Sequence, residues 1–214
     1  MGNDLPVFPG SRAPAKFDSW RGRAIKYLSP GELRALEDAW QQARTMTTRP
    51  RQFGRYFLVF LLLRHTGARL GEVLRLDDTR DVDFRNAEIR LVTLKQRTRK
   101  GSPPMRIVPV PPWVTNEIAA YVVQFPDMKG RVFRLRKQNF WVKFKEIALG
   151  AGIPGDLAHP HALRHTRAIE MLRAGVPVTV VQDVLGHSSL TTTAVYLRMS
   201  GAEAKAVLRE RGLI

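Results

Sequence analysis

The sequence contains no cysteine and few acidic residues, and each shortage narrows the range of functions. Without cysteine the chain forms no disulfide, no cysteine-ligated zinc site and no thiol nucleophile. Only 19 Asp and Glu accompany 35 Lys and Arg, which gives a formal net charge of +16 and a pI near 11.1. This excess of positive charge indicates a polyanionic partner. Nucleic acid is the first candidate and an anionic membrane surface is the second.

A long hydrophobic run is also missing. The longest apolar stretch is YFLVFLLL at 56–63, whereas a membrane-spanning helix needs about 20 apolar residues. The first residues, MGNDLPVFPGSRAPAKF, lack the apolar core of a secretory signal. The short apolar run argues against a membrane partner. Both observations predict a cytoplasmic protein, associated with the nucleoid if its partner is DNA.

Three regions follow one another along the chain. Residues 1–27 are rich in proline, glycine and basic groups without sustained periodicity, which predicts an arm or linker. Order begins at Ser29, because SPGE has the form of a capping box and opens the amphipathic run ELRALEDAWQQA. A domain is expected over 28–200. The last segment, 201–214, predicts a further helix.

The pattern inside the domain is mostly helical. Further helices are expected at 52–66, 70–76, 113–124, 137–149, 160–174 and 178–185. Between 81 and 110 the runs DVDF, EIRLVTL and MRIVPV predict short strands with a turn at Asn86. The sequence therefore predicts a mixed α+β fold that is mostly α-helical and carries a small antiparallel β-sheet or hairpin.

A basic segment leads into the helix expected at 137–149. Its positive residues include Arg131, Arg134, Arg136, Lys137 and Lys143. Phe140 and Trp141 are interleaved with them. Such a run is typical either of a solvated helix face or, in a chain this basic, of a DNA-binding surface. Both interpretations stay open at this point.

The stretch HPHALRHT at 159–166 places His161 and Arg164 three residues apart, on nearly the same face of one helix. His161 and His165 have the i, i+4 spacing of a zinc-binding helix. However, the intervening Ala-Leu-Arg lacks the general-base glutamate, and an arginine beside a divalent cation is unfavourable. The pattern therefore argues against a metal site. The ordinary alternative is that His161 caps the helix while Arg164 forms a surface ion pair.

In HTGARLGEVLRL at 65–76, Arg69 follows a Gly-Ala turn at the expected start of a helix. Backbone amides at a helix start favour anions, and a guanidinium there can bind a phosphate through two hydrogen bonds. Glu72 lies three residues later, so a common Arg-Glu pair is the competing interpretation.

The C-terminal third contains LGHSSLTTTAVYLRM, in which Tyr196 follows His187 by nine residues. Alone, such a tyrosine is most often a half-buried aromatic. In chain order, however, GARLGEVLRL, the strand lysine in LVTLK, HALRHT and LGHSS with its tyrosine resemble the catalytic domain of the tyrosine recombinases, the phage integrase family. The resemblance covers about residues 28–200.

This resemblance implies a role for each matching residue. Tyr196 would be the nucleophile, and a hairpin lysine, Lys95, would be the acid. Because the hairpin TLKQRTRKGSPPMRIVPV is longer and richer in proline than the usual version, Lys100 is a possible substitute for Lys95. Glu72 and Asp183 would support the chemical groups. The residues lining the scissile phosphate would be Arg69, His161, Arg164 and His187.

The implied set is chemically coherent. A phenol with a pKa near 10 needs a proton acceptor and a polarised phosphorus to act as a nucleophile. His161 suits the first task, and the two arginines with His187 can stabilise the developing charge where other enzymes use a metal ion. A lysine can protonate the departing 5′-hydroxyl. The resulting 3′-phosphotyrosine keeps the energy of the phosphodiester, so no metal, ATP or other cofactor is expected.

The expected partner is double-stranded DNA, with self-association into a tetrameric synapse as in the family. The resemblance implies that the helix at 201–214 docks on a neighbouring subunit; the alternative is that it packs on its own protomer. Many members carry a separate core-binding domain before the catalytic domain, whereas about 27 residues precede the capping box here. Basic residues of that arm are expected to add a salt-dependent affinity for DNA. They are Arg12, Lys16, Arg21, Arg23 and Lys26.

Two other functions compete with site-specific recombination by integration, excision or inversion. A type IB topoisomerase uses similar catalytic logic but relaxes supercoiled DNA without a specific site. A non-catalytic DNA-binding relic would keep the fold alone. The relic is disfavoured because every chemical position carries a suitable residue.

Overall fold

The computed structural model describes residues 26–93 and 104–186. This part of the chain forms helices around a buried central helix, with a small sheet at one side. The helices are α1 (Pro30–Met46), α2 (Pro50–Thr66), α3 (Leu70–Val73), α4 (Pro112–Gln124), α5 (Lys137–Gly150), α6 (Pro160–Arg173) and α7 (Val178–Leu185), with a short 3-10 helix at Pro126–Met128. The strands are β1 (Val82–Asp83), β2 (Glu88–Val92) and β3 (Met105–Pro109). The expected mostly α-helical α+β class is confirmed.

Helix α1 begins as the sequence predicts. The Glu32 N–H donates to Ser29 Oγ at 3.3 Å, and the Ser29 N–H donates to Glu32 Oε2 at 2.8 Å, so both halves of the capping box are present. Leu33, Leu36 and Trp40 form the buried face of α1. Through this face α1 packs against α2 and α5.

The apolar run at 56–63 is the core of the protein. Every residue in it is buried within α2, which contacts α1, α4 and α6. Trp40 stacks on Phe60 with ring centroids 4.7 Å apart, and Phe140 and Phe144 of α5 lie 6.1 Å from the Trp40 ring. Within residues 26–93 and 104–186, no helix is long and apolar enough to cross a membrane.

The sheet is antiparallel with the order β1-β2-β3. Ile89 pairs with Val108 and Leu91 with Arg106, and the face that carries Ile89, Leu91 and Val108 is buried. The Thr93 N–H donates to the Pro104 carbonyl at 2.9 Å and extends the ladder beyond β2 and β3. The described residues on either side of 94–103, Thr93 and Pro104, are therefore paired with each other.

The first strand is shorter than the run DVDF predicts. Asp83 pairs with Glu88, and the four residues between them form the turn that was expected around Asn86. Asp83 Oδ1 accepts the backbone N–H groups of Arg85 and Asn86, both at 2.9 Å. This carboxylate favours the turn, so Phe84 leaves the ladder and β1 ends at Asp83.

Helices α6 and α7 share a second, smaller apolar cluster. It consists of Ala168, Ile169, Met171, Val181 and Leu185. Helix α7 ends at Gly186, which has a left-handed conformation with φ 66°, and α7 also contacts β3. This packing brings the end of α7 to the edge of the sheet.

The described residues include the expected start of the domain near residue 28 but not its expected end near residue 200. Contact with the domain begins by Lys26, which forms an ion pair with Asp156, and by Tyr27, whose ring lies 5.6 Å from the Arg173 guanidinium. The Leu28 N–H donates to Thr166 Oγ1 of α6 at 2.9 Å. The rest of the arm, the helix expected to carry Tyr196 and the segment 201–214 lie outside the described residues.

Candidate active site

The turn after α2 places Arg69. Helix α2 ends at Gly67, which adopts a left-handed conformation with φ 63° and donates its N–H to the Leu63 carbonyl at 3.1 Å. Two residues later Arg69 is the N-cap of α3. A Cβ on Gly67 would lie 2.6 Å from Leu185 Cδ2. Glycine therefore allows both the backbone turn and the close approach of α7.

Arg164 reaches the same turn from α6. Its side chain is 2 % exposed, and Nη1 donates to the Gly67 carbonyl at 2.8 Å. The alternative of a surface ion pair at Arg164 is therefore wrong. The alternative that His161 caps α6 is wrong as well, because the N-cap is His159, whose Nδ1 accepts the Ala162 N–H at 3.2 Å.

His161 lies one turn before Arg164 on α6, and its side chain is exposed. Its ring meets that of His165 edge-on, with the centroids 4.5 Å apart. Within the described ranges, 26–93 and 104–186, no group of three or more potential metal ligands occurs. His161 is thus accessible from solvent while Arg164, on the same helix, is held against Gly67.

Glu72 links two arginines beneath this turn. Its buried carboxylate accepts the Arg69 N–H at 3.0 Å, Arg69 Nη1 at 3.1 Å and Arg106 Nη2 at 2.6 Å. Burial by itself raises the pKa of Glu72, but the hydrogen bond and charge of Arg106, together with those of Arg69, hold the pKa below its ordinary value. The carboxylate is therefore charged and fixes the Arg69 guanidinium from one side.

Arg106 is a residue that the sequence reasoning missed. Its Nε donates to the Val184 carbonyl at 2.9 Å, and its Nη1 donates to Thr93 Oγ1 at 3.1 Å. A signal was available in the strand pattern. Arg106 lies two residues before Val108, on the same face of β3, and it pairs with Leu91. It therefore occupies an inward position of β3, where an arginine needs buried acceptors.

Three segments that are distant in sequence meet here. Arg69 Nη1 lies 3.4 Å from the Gly186 carbonyl, while Arg164 contacts Gly67. The structure thus brings together the expected site residues Arg69 and Arg164, with His161 one turn away, and places the start of the LGH segment beside them. The remaining candidates for the catalytic chemistry lie outside the described residues; they are Lys95, Lys100, His187 and Tyr196.

The basic segment before α5 is held as a defined loop. Arg55 of α2 donates to the carbonyls of Val132 at 2.9 Å and Arg134 at 2.6 Å, and Asp78 accepts the Gly130 N–H at 3.0 Å. Four basic residues of this loop and of the first turn of α5 have exposed side chains: Arg131, Arg134, Arg136 and Lys137.

This loop is separate from the arginine cluster. Arg55 precedes Gly67 by twelve residues on α2, which corresponds to about 18 Å along the helix. Lys143 differs from the exposed group, because it is partly buried and pairs with Glu146 at 2.6 Å. Phe140 is also part of the core, so it is not available to an external partner.

A model of the phage integrase family matches residues 26–203, most of the chain. The chain belongs to this family. Integrase-family relatives include the tyrosine recombinase XerA of Thermococcus kodakarensis, which is 30% identical over 96% of this chain and 75% of its own length. The XerA of Thermococcus onnurineus is 34% identical over 73% of this chain and 57% of its own length.

The integrase-family fold is also seen in a crystal structure of XerH site-specific recombinase bound to its difH substrate. That structure matches 86% of this chain with a TM-score of 0.67 at 19% identity, and the match covers 53% of the XerH chain. The present chain therefore spans about half the length of this structure and of the second XerA. Within the family it corresponds to a tyrosine recombinase catalytic domain.

Proposed function

We propose that this chain cleaves and rejoins DNA strands as a site-specific recombinase, through a covalent 3′-phosphotyrosine on Tyr196. The observation that carries the proposal is the meeting of Arg69, Arg164 and Gly186 at the Gly67 turn. Together with Arg106 the site holds three guanidinium groups, of which Arg69 and Arg106 share the Glu72 carboxylate. Its positive charge suits a phosphodiester.

Each guanidinium carries several N–H donors in a planar fork. Arg69 and Arg164 can therefore bind phosphate oxygens while part of each fork keeps its backbone contact. Charge that builds up on these oxygens during attack is stabilised by donors already in place. In this reaction Arg69 and Arg164 hold the phosphate, and His187, which directly follows Gly186, adds a further donor.

The proton transfers fall to residues with suitable chemistry. His161 is exposed on the same helix as Arg164, and an imidazole can accept the Tyr196 proton near neutral pH. A lysine from the segment 94–103, Lys95 or Lys100, protonates the departing 5′-hydroxyl. None of these steps needs a metal ion or a nucleotide.

The other tyrosines support the choice of Tyr196. The chain has four tyrosines. Tyr56 is buried in the core, and the Tyr121 hydroxyl donates to the Arg51 carbonyl at 2.7 Å. Tyr27 lies against Arg173, with its hydroxyl 3.3 Å from Arg173 Nη2. The structural contacts of these three tyrosines support the choice of Tyr196 as the nucleophile.

The proposed partner is double-stranded DNA, in the nucleoid. The difH-bound XerH structure supports DNA binding by this fold, and the loop held by Arg55 offers exposed cations for backbone phosphates. Assembly into a tetramer on DNA, with the segment 201–214 docking between subunits, is part of the same proposal. The relatives are named tyrosine recombinases, which favours recombination over topoisomerase activity or a non-catalytic relic.

A nicked suicide substrate tests this function. The wild-type chain should form a protein-DNA adduct that survives SDS, and Tyr196→Phe should abolish the adduct while DNA affinity stays unchanged. Tyr27→Phe is the matched control and should form the adduct normally. An adduct with Tyr196→Phe would refute the nucleophile, and DNA binding without any wild-type adduct would favour the relic.

A further inference from the structure

Arg106 uses its whole guanidinium inside the protein. Nε donates to the Val184 carbonyl on α7, Nη1 to Thr93 Oγ1 after β2, and Nη2 to Glu72 Oε2 on α3. Its side chain is only 9 % exposed. The group therefore binds three elements of the protein and does not face a substrate.

Each of the three acceptors is close to a different group of the proposed site: Arg69, the hairpin that carries the lysines, or the Gly186 turn. Glu72 also holds Arg69, through the hydrogen bonds to its N–H and Nη1. Thr93 is the residue at which the lysine-bearing segment leaves the described chain. Val184 belongs to the last turn of α7, two residues before Gly186.

Gly186 packs directly on this guanidinium. A Cβ at position 186 would lie 2.7 Å from Arg106 Nη1 and 2.9 Å from its Cζ. The left-handed glycine thus rests on Arg106, and its carbonyl lies 3.4 Å from Arg69 Nη1. Because the guanidinium is planar and rigid, the three acceptors and this turn are fixed relative to one another.

We propose that Arg106 is a positioning residue for strand cleavage, which sets Arg69, the base of the β2–β3 hairpin and the Gly186 turn in one arrangement. This inference rests on the proposed recombinase function. Arg106 acts through these groups and does not touch the DNA. Its planar geometry is needed in addition to its charge.

The test is Arg106→Lys in single-turnover cleavage of the suicide substrate at saturating protein. Lysine keeps the positive charge and can stay near Glu72, but its single nitrogen cannot span acceptors on three elements. Because small misplacements of catalytic groups are costly, the rate constant should fall by about 10- to 100-fold. The fraction of substrate cleaved at the end and the DNA affinity should stay close to those of the wild type, at a temperature where both proteins are folded.

Two further variants make the result specific. Thr93→Val removes one acceptor while keeping the side-chain shape, and it should lower the rate constant in the same direction but less. Arg90→Lys changes an exposed arginine on β2 and should leave the rate constant unchanged. If Arg106→Lys does not fold, Thr93→Val decides, and an unchanged rate constant in that variant overturns the proposal.

The outcomes distinguish a positioning role of Arg106 in cleavage from a role in folding alone. A wild-type rate constant with a reduced cleaved fraction in Arg106→Lys would show a structural role only and overturn the proposal. Unchanged cleavage in a folded Arg106→Lys would overturn it too. Absence of cleavage by the wild-type chain would instead remove the proposed function, and this inference with it.

Discussion

At the scale of single residues, Arg164 shows how burial and chemistry combine. Its guanidinium sits almost entirely inside the protein and donates to a backbone carbonyl at the end of another helix. Burying a cation is costly unless it is well hydrogen-bonded. A buried cation on α6 that contacts the turn carrying Arg69 is consistent with a chemical role for Arg164.

Arg164→Lys tests that interpretation. Lysine keeps the charge but offers no planar fork, so it cannot hold the Gly67 carbonyl and a phosphate oxygen together. We expect cleavage of the suicide substrate to slow by about 100- to 1,000-fold, the usual loss for one donor to a developing oxyanion. Arg173→Lys, an exposed arginine at the end of the same helix, is the control. A near-normal cleavage rate in Arg164→Lys would show that the charge alone is sufficient.

His65 is a residue whose protonation is expected to make the stability of the protein depend on pH. Its ring is partly buried at the end of α2 and meets Trp113 edge-on, with the centroids 5.0 Å apart. Burial, followed by the charges of Arg64 and Arg167, lowers the pKa of His65 from 6.5 to about 4. The unfolded chain therefore binds a proton at His65 at a higher pH than the folded protein does.

It follows that His65 makes the free energy of unfolding decrease as the pH falls from 6.5 to about 4. Well above pH 6.5 the residue is neutral in both states and has no such effect. We expect His65→Gln to flatten the stability profile across this window, as measured by denaturant unfolding at each pH. Parallel profiles for the two proteins would show that the pKa of His65 is not lowered by folding.

At the scale of elements, the turn after α2 is the most constrained connection. Gly67 has a positive φ, and the position that a Cβ would take is filled by Leu185 of α7 and by Arg167 Cγ at 3.3 Å. The same turn supplies the carbonyl for Arg164. Both the packing of α7 and the placement of the arginines therefore depend on glycine here.

Gly67→Ala should accordingly destabilise the protein. The left-handed conformation alone costs a non-glycine residue about 1 to 2 kcal/mol, and the buried Leu185 must also move. Gly150→Ala is the matched control, because Gly150 ends α5 without a positive φ and no atom lies within 4 Å of the point that a Cβ would occupy there. Thermal unfolding should show a clear loss for the first variant and little change for the second. Equal midpoints would contradict the packing argument.

Most elements could be predicted from local sequence. The capping box at Ser29, the apolar run of α2 and the glycines at 67 and 186 define helix ends through short-range interactions. The partners of Arg106 and the clamp of Arg55 on the loop before α5 depend on contacts between distant segments. Periodicity describes one element at a time, so it did not reveal these contacts.

The same limit applies to the site. Sequence order and resemblance selected Arg69, His161 and Arg164, and the structure shows the two arginines at one turn. Which carbonyl each guanidinium meets could not be predicted, because it depends on how α6 and α7 pack on α2. The cap of α6 is His159, two positions before His161, because the backbone geometry at the helix start decides which residue forms the cap.

At the scale of the whole molecule, charge is the dominant feature. A formal net charge of +16 should give DNA binding that weakens steeply with salt, because counterions are released on association. The exposed arginines of the loop held by Arg55 are the clearest contributors within the described ranges. They are Arg131, Arg134 and Arg136.

Substituting all three loop arginines by glutamine should reduce both affinity and the salt dependence. Each lost phosphate contact lowers the slope of log affinity against log salt by about 0.9. Arg85→Gln, in the exposed turn between β1 and β2, is the control and should leave the slope unchanged. Fluorescence anisotropy at several salt concentrations provides the measurement. An unchanged slope in the triple variant would place the DNA-binding surface elsewhere.

In the proposed reaction the arginine cluster binds the phosphate that Tyr196 attacks, and the tyrosine becomes bonded to the 3′ end of the cleaved DNA strand. The most direct measurement is mass spectrometry of the trapped adduct after digestion with protease and nuclease, with end-labelling of the released strand. We expect a nucleotide remnant on the peptide that contains Tyr196, joined through a 3′-phosphate, and a free 5′-hydroxyl on the released strand. A remnant on any other residue, or a linkage through a 5′-phosphate, would contradict it.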